Sequence, residues 1–289
     1  MREASAGCGR SLKPHEFSQV RRMMYENFGV DLEGKEVLIE ARLGKKMREL
    51  GYRSFRQYYE YVRGDPTGEA LTAMVDALTT NHTSFFREPQ HFDLLRKMVA
   101  PAVRPGSPLR IWSAACSTGE EPYSIAFTIL EAMAAGAVES IQILATDISS
   151  RVLATASRGM YPASRFENIS ANQLRRHLLK GFGEAEGQYL VKKEVRSRIE
   201  FRRLNLMEDF SGVGMFQVIF CRNVMIYFDQ PTQQRLVTRL AAQLEEGGHL
   251  LIGHAESLNG IDHPLQYVCP ATYRKPQGVH RTSAARSMR

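Results

Sequence analysis

The residues with the clearest chemical potential lie in one short stretch, 111–124, which reads IWSAACSTGEEPYS. An apolar run gives way to small residues, then to Gly119, then to two acids and a proline that mark a helix start. The absent or small side chains of Ala114, Ala115, Ser117 and Gly119 leave backbone N–H groups and a helix N-terminus able to face a ligand. A pyrophosphate needs the close backbone approach that several glycines allow, so the single glycine disfavours a nicotinamide dinucleotide. The loop therefore favours a nucleoside or amino-acid ligand without phosphate.

Three acids near this loop have suitable positions for binding such a ligand. Asp147 ends the next apolar run, 28 residues after Gly119, where an acid commonly accepts hydrogen bonds from ribose hydroxyls. The same residue could instead cap the helix that follows. Glu120 and Glu121 suit a cationic ligand, although acids at a helix start also interact favourably with the helix dipole. Both interpretations of each acid stay open at the level of sequence.

S-adenosylmethionine meets these requirements, because it joins an adenosine to an ammonium, a carboxylate and a sulfonium and carries no phosphate. Its carboxylate requires a cation. Arg87, in the stretch NHTSFFRE, could provide one through a bidentate contact. Asn81 and Thr83 could add hydrogen bonds. The alternative is that this stretch is an interdomain linker packed by Phe85 and Phe86.

The elements that must position these residues alternate between strand and helix. The predicted elements, in order, are strand 109–115, helix 120–135, strand 141–146, helix 149–157, strand 216–221, helix 231–244, strand 249–253 and a terminal pair of strands around 265–273. This alternation predicts an α/β fold with a doubly wound, mainly parallel sheet that is covered on both faces. Ligands bind such sheets at the carboxyl ends of the strands, where CSTGEE, TDIS and CRNVMIYF would lie along one edge.

One segment, between 159 and 206, interrupts the alternation. It contains a predicted helix over 172–179, the glycine-spaced loop KGFGEAEG, and two segments of alternating polarity, QYLVKKEV and RSRIEFRRL. We expect the two alternating segments to pair as an antiparallel hairpin, because a period of two residues is typical of strands. The whole segment is predicted to be a small antiparallel β-subdomain inserted into the α/β domain.

The first part of the chain is predicted to be helical. Two apolar stripes have helical spacing: Phe17, Val20, Met24 and Phe28, followed by Ile39, Leu43, Met47 and Leu50. A further helix is predicted over 69–78. One face of the second helix is basic and consists of Arg42, Lys45, Lys46 and Arg53. Because Glu49 is the only acid on this face, it is either an ordinary solvated surface or a docking surface for an acidic protein.

Composition places the chain among ordinary globular proteins, since 43% of its 289 residues are hydrophobic and 24% are charged. We expect a cytoplasmic protein, because no apolar run reaches the roughly 20 residues that span a bilayer and no secretion signal is recognisable. The four cysteines form no CxxC pair, so neither a metal site nor a disulfide is predicted. The net charge of +7 indicates an acidic partner, although the last 16 residues supply much of the excess.

Four motifs in order, TNHTSFFRE, WSAACSTGEEPYSIA, TDIS and FCRNVMIYF, closely resemble those of the chemotaxis-receptor glutamate methyltransferases, the CheR-type family. The resemblance runs from about residue 17 to residue 273. It implies a Rossmann-like methyltransferase domain that transfers a methyl group from S-adenosylmethionine to glutamate side chains of cytoplasmic chemoreceptor helices. The products are glutamate methyl esters and S-adenosylhomocysteine. The implied cofactor residues are Asn81, Thr83, Arg87, Glu120 or Glu121, Asp147, Asn205, Leu206, Arg222 and Asn223.

The resemblance also implies partners. The basic helix would meet the acidic receptor, which matches the predicted basic face. In some members a small β-subdomain grips a pentapeptide at the receptor C-terminus, and its glycine-spaced loop resembles Gly181, Gly183 and Gly187 here. A flexible hairpin connection would have the same spacing. From the resemblance we expect a monomer that is recruited to membrane receptor clusters and does not insert into the membrane. We also expect that it binds no nucleic acid.

Methylation of a carboxylate needs no general base, because glutamate is already ionised at neutral pH. No Ser/His/Asp arrangement is therefore required. Arg222 and Asn223, at the end of a buried strand, are expected to line the reacting region, and Tyr227 to close it unless it is a core residue. His254 and His263 flank the AESLNG loop without a second ligand at metal spacing, so we interpret them as structural and expect no metal.

The predicted domains are a helical receptor-docking domain at 1–88, a linker helix and loop at 89–108, a methyltransferase domain at 109–275 with its insertion at about 160–204, and a flexible basic tail at 276–289. Two other functions compete with methyl transfer to a receptor. A catalytically silent receptor-binding scaffold would not need every cofactor position filled. A nucleic-acid methyltransferase suits the charge, but RNVMIY lacks the Asn/Asp-Pro-Pro-aromatic loop of base-amino methylators, and the basic residues are not interleaved with stacking aromatics.

Overall fold

The computed structural model describes residues 12–79, 82–102, 108–132 and 141–277. Its N-terminal part consists of four helices: α1 (Pro14–Phe28), α2 (Glu36–Glu49), α3 (Phe55–Gly64) and α4 (Glu69–Leu78). The predicted stripes pack inward, since Met24 and Leu43 have no exposed surface. Leu50 is 46% exposed, so its place in the second stripe was wrong. The reason is that α2 ends one residue earlier and the chain turns away.

The remaining elements follow in chain order. They are α5 (Gln90–Ala102), β1 (Leu109–Ala114), α6 (Glu120–Ala132), β2 (Ile141–Asp147), α7 (Ser150–Arg158), β3 (Met160–Pro162), α8 (Ala171–His177), β4 (Leu178–Lys180), β5 (Gln188–Val191), α9 (Lys193–Arg196), β6 (Ile199–Arg203), β7 (Phe216–Cys221), α10 (Gln230–Ala242), β8 (Leu244–Ile252), β9 (Gln266–Cys269) and β10 (Thr272–Arg274). Each strand and helix predicted for the α/β part is present, with ends that differ by a few residues. Most of the predicted tail, from residue 278, lies outside the described residues.

Seven strands form the main sheet, in the order β6-β2-β1-β7-β8-β10-β9. The five strands from β6 to β8 are parallel to their neighbours, whereas β10 runs antiparallel to both β8 and β9. The sheet is therefore doubly wound and mainly parallel, which confirms the predicted fold class. The strand order reverses between β1 and β7, and ligands of open α/β sheets bind at such a point.

Successive side chains of a strand point to opposite sides of the sheet, and here a separate hydrophobic core covers each face. On one face, Trp112 and Ile252 belong to a core that includes α10 and the buried residues of α1 to α4. On the other face, Ile111 and Phe220 join a core built with α5, α6 and the inserted segment. The helical N-terminal part thus shares a continuous core with one face of the sheet.

The predicted hairpin of the inserted segment was wrong. The strand β5 pairs antiparallel with β3 and β4 in a separate three-stranded sheet, so the predicted small antiparallel sub-domain is present. The strand β6 instead joins the main sheet, where it lies parallel to β2. The four residues of α9 separate β5 from β6 and redirect the chain. Alternating polarity has the same period in a hairpin and in an edge strand, so it does not determine which partner a strand takes.

Candidate active site

One cavity of about 260 Å³ opens at the carboxyl ends of β1, β2 and β7, where the strand order reverses. Its wall contains most of the residues predicted for the cofactor or the reacting region: Thr83, Arg87, Glu121, Asp147, Asn205, Leu206, Arg222, Asn223 and Tyr227. Glu120 does not line it. Asn81 lies outside the described residues. Four motifs that are far apart in the chain therefore meet in one place.

The loop after β1 is shaped by left-handed backbone at three positions. Ala115 has φ 68°, Ser117 has φ 51° and Gly119 has φ 99°. The first two line the cavity, which matches the expectation that small side chains expose the backbone there. Gly119 does not line the cavity. It packs instead against the protein, since a Cβ added at this position would lie 2.7 Å from the Cβ of Ala156 and 2.8 Å from the hydroxyl of Tyr161. The glycine is needed for close packing of the loop against α7 and the insertion, and not for contact with a ligand.

Asp147 joins the loop after β1 to the loop after β2. Its carboxylate accepts hydrogen bonds from the backbone N–H of Ser117 at 2.9 Å and of Ser149 at 3.0 Å. The N-cap of α7 is Ser149, whose hydroxyl accepts from the N–H of Val152, so Asp147 is not the capping residue. Burial raises the pKa of Asp147 to about 6, because the charged form is poorly solvated there. Because Asp147 lines the cavity, its ionised carboxylate can accept further hydrogen bonds from the hydroxyl groups of a ligand.

The two glutamates of TGEE point in different directions. Glu121 lines the cavity, where its carboxylate accepts from the hydroxyl of Ser113 at 2.7 Å. Burial raises its pKa, although the nearby charge of Arg222 opposes this shift. Glu120 is fully buried and faces the inserted segment, where it accepts from the hydroxyl of Thr118 at 2.6 Å and lies 3.5 Å from Arg165. Of the two acids, Glu121 is therefore the one available to a cationic ligand.

Among the described residues, two arginines line the cavity, and they differ in the groups that already bind them. The guanidinium of Arg222 is only 2% exposed and donates to Glu88 at 2.9 Å, to Glu121 at 3.0 Å and to the carbonyl of Arg87 at 2.5 Å. The guanidinium of Arg87 donates to the carbonyl of His82 at 2.9 Å. Arg222 is thus saturated by protein acceptors and stiffens the wall. Arg87 is better placed to receive the carboxylate of a ligand.

The helical N-terminal part also builds the cavity wall, through the segment after α1. Val30 lines the cavity and bridges to Phe228, and the N–H of Asp31 donates to the carbonyl of Tyr227 at 2.7 Å. The amide of Asn205 donates to the carbonyl of Asn27 at 2.8 Å, at the end of α1. No sequence pattern predicted that α1 would reach this cavity, because the contacts join residues about 180 to 200 positions apart in the chain.

Two glutamates that the sequence analysis did not single out support this wall. Glu88 accepts from Arg222 and from the amide of Asn223 at 3.4 Å. Burial alone would raise the pKa of Glu88, but the charge of Arg222 and these hydrogen bonds hold it below its usual value. Glu256 accepts backbone N–H groups of the loop after β7. Glu88 lies inside the recognised motif TNHTSFFRE, and this position was the available signal for it. Glu256 lies in the AESLNG loop, which was named only for the histidines that flank it.

The histidines differ from the expectation in one respect. The ring of His263 accepts from the N–H of Leu265 at 3.2 Å, a structural role as predicted. His254, expected to have no second ligand at metal spacing, packs edge-to-face against His91. The ligand atoms of these two rings and of Glu88 lie within 4.8 Å of one another. Glu88 is already bound by the guanidinium of Arg222, and this positive charge opposes a metal cation. We assign no metal to this cluster.

These features define a class of protein. Counted within the main sheet alone, the strand order is 3-2-1-4-5-7-6, which is a doubly wound order with an added antiparallel strand. The cavity at its switch point offers acids to a ribose and an ammonium and an arginine to a carboxylate, beside a loop that lacks the glycines of a pyrophosphate site. S-adenosylmethionine has these groups, and the protein falls in the class of S-adenosylmethionine-dependent methyltransferases.

Comparison with known proteins leads to a particular family within this class. The S-adenosylmethionine-binding domain of CheR methyltransferases matches residues 81–273, and the all-alpha domain of CheR methyltransferases matches residues 15–79. The chain belongs to the CheR methyltransferase family and is an S-adenosylmethionine-dependent protein methyltransferase. The predicted resemblance is thereby confirmed.

This chain matches relatives from several bacteria over nearly the whole length of each relative. Chemotaxis protein methyltransferase 2 of Pseudomonas aeruginosa is 43% identical over 261 residues, which is 89% of this chain and 92% of that protein. A chemotaxis protein methyltransferase of Borreliella burgdorferi is 38% identical over 269 residues, 90% of this chain and 94% of that protein. A probable chemotaxis protein methyltransferase of Rhizobium etli is 42% identical over 258 residues, 87% of this chain and 96% of that protein.

In the described residues, no helix combines the length and the apolar character needed to cross a membrane.

Proposed function

We propose that this protein transfers methyl groups from S-adenosylmethionine to glutamate carboxylates on the cytoplasmic helices of chemoreceptors and forms glutamate methyl esters. The observation that carries this proposal is the identity of 43% along 92% of a relative named for protein methylation in chemotaxis. An acceptor that is already ionised is consistent with a cavity whose polar groups are committed to binding rather than to proton transfer. Adaptation of the chemotactic response is the process that such methylation would serve.

We assign the ends of the cofactor to three side chains. Arg87 is proposed to bind the carboxylate as a charged pair, since its planar guanidinium matches a carboxylate in geometry. Glu121 is proposed to bind the ammonium, because it is the TGEE acid on the cavity side. Asp147 is proposed to accept the ribose hydroxyls. Thr83, Asn205 and Leu206 would complete the wall around the nucleoside, and Asn81 keeps the role that the family resemblance implies.

When bound, S-adenosylmethionine supplies a methyl group on a positively charged sulfur, and its transfer to a carboxylate leaves a neutral ester and a neutral thioether. The protein's task is to hold the acceptor in line and to keep water away from it, a contribution that reaches roughly 7 to 11 kcal/mol in well-oriented systems. Arg222 and Asn223 would line the reacting region, with Arg222 fixed by Glu88 and Glu121. Tyr227 would close it.

The receptor is proposed to dock on the basic surface next to α2. Lys45 is well exposed and lies 3.9 Å from Glu49, a weak surface pair that an acidic partner could replace. Lys46 lies on the same helix, and Arg53 lies beyond the end of α2, before α3. Arg42, the fourth residue of the predicted face, is half-buried, and we propose that it contributes less to docking because protein acceptors already bind its guanidinium. Its guanidinium donates to the carbonyl of Leu78, the last residue of α4, at 2.8 Å and to the carbonyl of Thr79, the C-cap of α4, at 2.9 Å.

A second contact with the receptor is proposed at the small three-stranded sheet. The glycines Gly181, Gly183 and Gly187 lie in the connection between β4 and β5, and β4 is an edge strand of this sheet. Leu179 is 51% exposed and Phe182 is 81% exposed there. An extended peptide could pair with such an edge while apolar side chains contact it. A receptor C-terminal pentapeptide is the proposed ligand, and loss of methylation on deleting it would support tethering.

The decisive experiment uses labelled S-adenosylmethionine and receptor-enriched membranes. Label should appear on receptor protein and leave as methanol in mild alkali, because methyl esters hydrolyse under these conditions whereas methylated amines do not. Alkali-stable label, or label on nucleic acid, would contradict the proposed substrate. A protein that binds S-adenosylhomocysteine and docks to the membranes without transferring label would be the catalytically silent scaffold instead. Sedimentation with the membranes tests recruitment to receptor clusters.

A further inference from the structure

The side chain of Glu256 folds back from the turn after β8 onto the loop after β7. Its Oε2 accepts from the N–H of Gly253 at 2.6 Å and of Asn223 at 2.9 Å. Its Oε1 accepts from the N–H of Met225 at 2.8 Å and of Ile226 at 3.3 Å. One carboxylate thus binds four backbone donors, three of them in residues 222–226, which we call the β7 loop.

The β7 loop has a shape that the backbone does not adopt without support. Asn223 has φ 58°, the left-handed region that is unfavourable for most residues and tolerated by asparagine. A Cβ at Gly253 would overlap the amide of Asn223, so the turn after β8 and the β7 loop are in direct contact. Strained backbone persists where the surroundings over-determine it. Three of the hydrogen bonds of Glu256 hold backbone N–H groups of this loop in place, and the fourth joins the same carboxylate to Gly253 in the turn after β8.

The charge of Glu256 is unusual for a purely structural group. Among the described residues no basic side chain forms an ion pair with it, and its hydrogen-bond donors are backbone N–H groups. Burial raises the pKa of Glu256, and the hydrogen bonds oppose this only in part. The folded protein therefore holds the ionised carboxylate at some loss of stability. Residues that reduce stability in this way are typical of functional sites.

We propose that Glu256 is a positioning residue for methyl transfer. It does not line the cavity itself, but the β7 loop that it fixes carries Arg222, Asn223, Val224 and Ile226, which do. Glu256 thereby determines where the wall of the reacting region lies. A displacement of about 1 Å in such a wall can lower a rate by about 100-fold. The inference rests on the proposed function for its substrate, although not for the geometry of the loop.

The test compares Glu256→Gln, Glu256→Asp and the control Glu246→Gln. Glutamine keeps the size of the side chain but turns one acceptor oxygen into an N–H₂ group that faces backbone donors. Aspartate keeps both charged oxygens on a shorter stem. Glu246 is an exposed acid of β8, outside the cavity wall, and its change should have no effect. All proteins are assayed at a temperature well below their thermal unfolding midpoints, with S-adenosylmethionine and receptor in excess.

We expect kcat of Glu256→Gln to fall by about 100-fold, with Glu256→Asp between it and the wild type. The affinity for S-adenosylhomocysteine should fall by about tenfold, the loss of roughly one hydrogen bond to the ligand. Normal kcat in the folded glutamine variant, with or without a lower unfolding midpoint, would refute the positioning role. An aspartate variant no better than glutamine would refute the part played by the charge. If the glutamine variant does not fold, reduced kcat of folded Glu256→Asp decides the matter.

Failure of the proposed function has a different signature. In that case the wild-type protein places no alkali-labile label on the receptor. The affinities of the two variants for S-adenosylhomocysteine then test the positioning of the β7 loop by themselves, and unchanged affinities in both would overturn it.

Discussion

Protonation of Asp147 should control both the stability of the free protein and its affinity for the cofactor. The carboxyl lies in the cavity wall, and burial raises its pKa from the ordinary 3.8 to about 6. The change to examine is Asp147→Asn, which keeps the size of the side chain and removes the titration. The two backbone N–H groups that now donate to the carboxylate make the site sensitive to its charge.

The sign of the stability effect follows from the raised pKa. Below pH 3.8 the carboxyl is protonated in the folded and unfolded states alike and has no effect. Between pH 3.8 and about 6 the unfolded chain loses the proton first, so the free energy of unfolding falls as pH rises. The shift of about 2.2 pH units corresponds to at most about 3 kcal/mol above pH 6. The difference in unfolding free energy, Asp147→Asn minus wild type, should grow by up to this amount between pH 4 and pH 7.

Denaturant unfolding of both proteins without ligand, at several pH values, measures this difference, and other titrating groups cancel in the comparison. Binding of S-adenosylhomocysteine to the wild type should weaken by about tenfold from pH 7 to pH 5, because only about one carboxyl in ten is then ionised. Binding to Asp147→Asn should be weaker and nearly independent of pH. A stability difference that does not change with pH, or equal affinities at pH 7, would refute the reasoning.

Three further predictions concern the cofactor, the fold and the receptor. Arg87→Ala should weaken S-adenosylhomocysteine binding by about 10- to 100-fold in calorimetry, with Arg87→Lys in between because it loses the planar fork; unchanged affinity would remove the assigned role. Gly119→Ala should lower the free energy of unfolding by more than about 2 kcal/mol, because strain and overlap add, whereas Gly34→Ala, left-handed but with open space around it, should lose about 1 kcal/mol. Equal losses would contradict the packing explanation. Reversing the charges of Lys45 and Lys46 should reduce kcat/KM for the receptor by about tenfold at low salt and leave S-adenosylhomocysteine affinity unchanged; intact receptor use would exclude this surface.

Much of the site was predictable because the fold is a parallel sheet. The carboxyl ends of β1, β2 and β7 meet at one edge, so motifs that follow these strands come together whatever the intervening sequence. Asp147 and Asn223 could therefore be expected in one cavity. The short segment around Arg87 was harder to assign from composition, and its motif rather than its periodicity pointed to the cavity.

The errors share a different cause. Leu50 was misplaced because the end of a helix depends on local capping, and the two strands after Gly187 were paired with each other although β6 pairs with β2. Arg42 was assigned to a free surface, yet it binds the end of α4, 36 residues further along the chain. In each case the missing information was the partner, which periodicity does not contain.

The amino-acid order by itself determined the local features: where helices and strands form, which loops follow which strands, and that the loop after β1 suits a ligand without pyrophosphate. Only the tertiary structure decided which acid of TGEE faces the cavity, which arginine is already saturated, and that Glu256 holds the β7 loop. Local features depend on propensities and spacing within a few residues, whereas these choices depend on the rotation of each helix against the sheet and on hydrogen bonds between distant segments. Glu121 and Glu120 are neighbours in sequence, and about 100° of helical turn separates a ligand-facing carboxylate from a buried one.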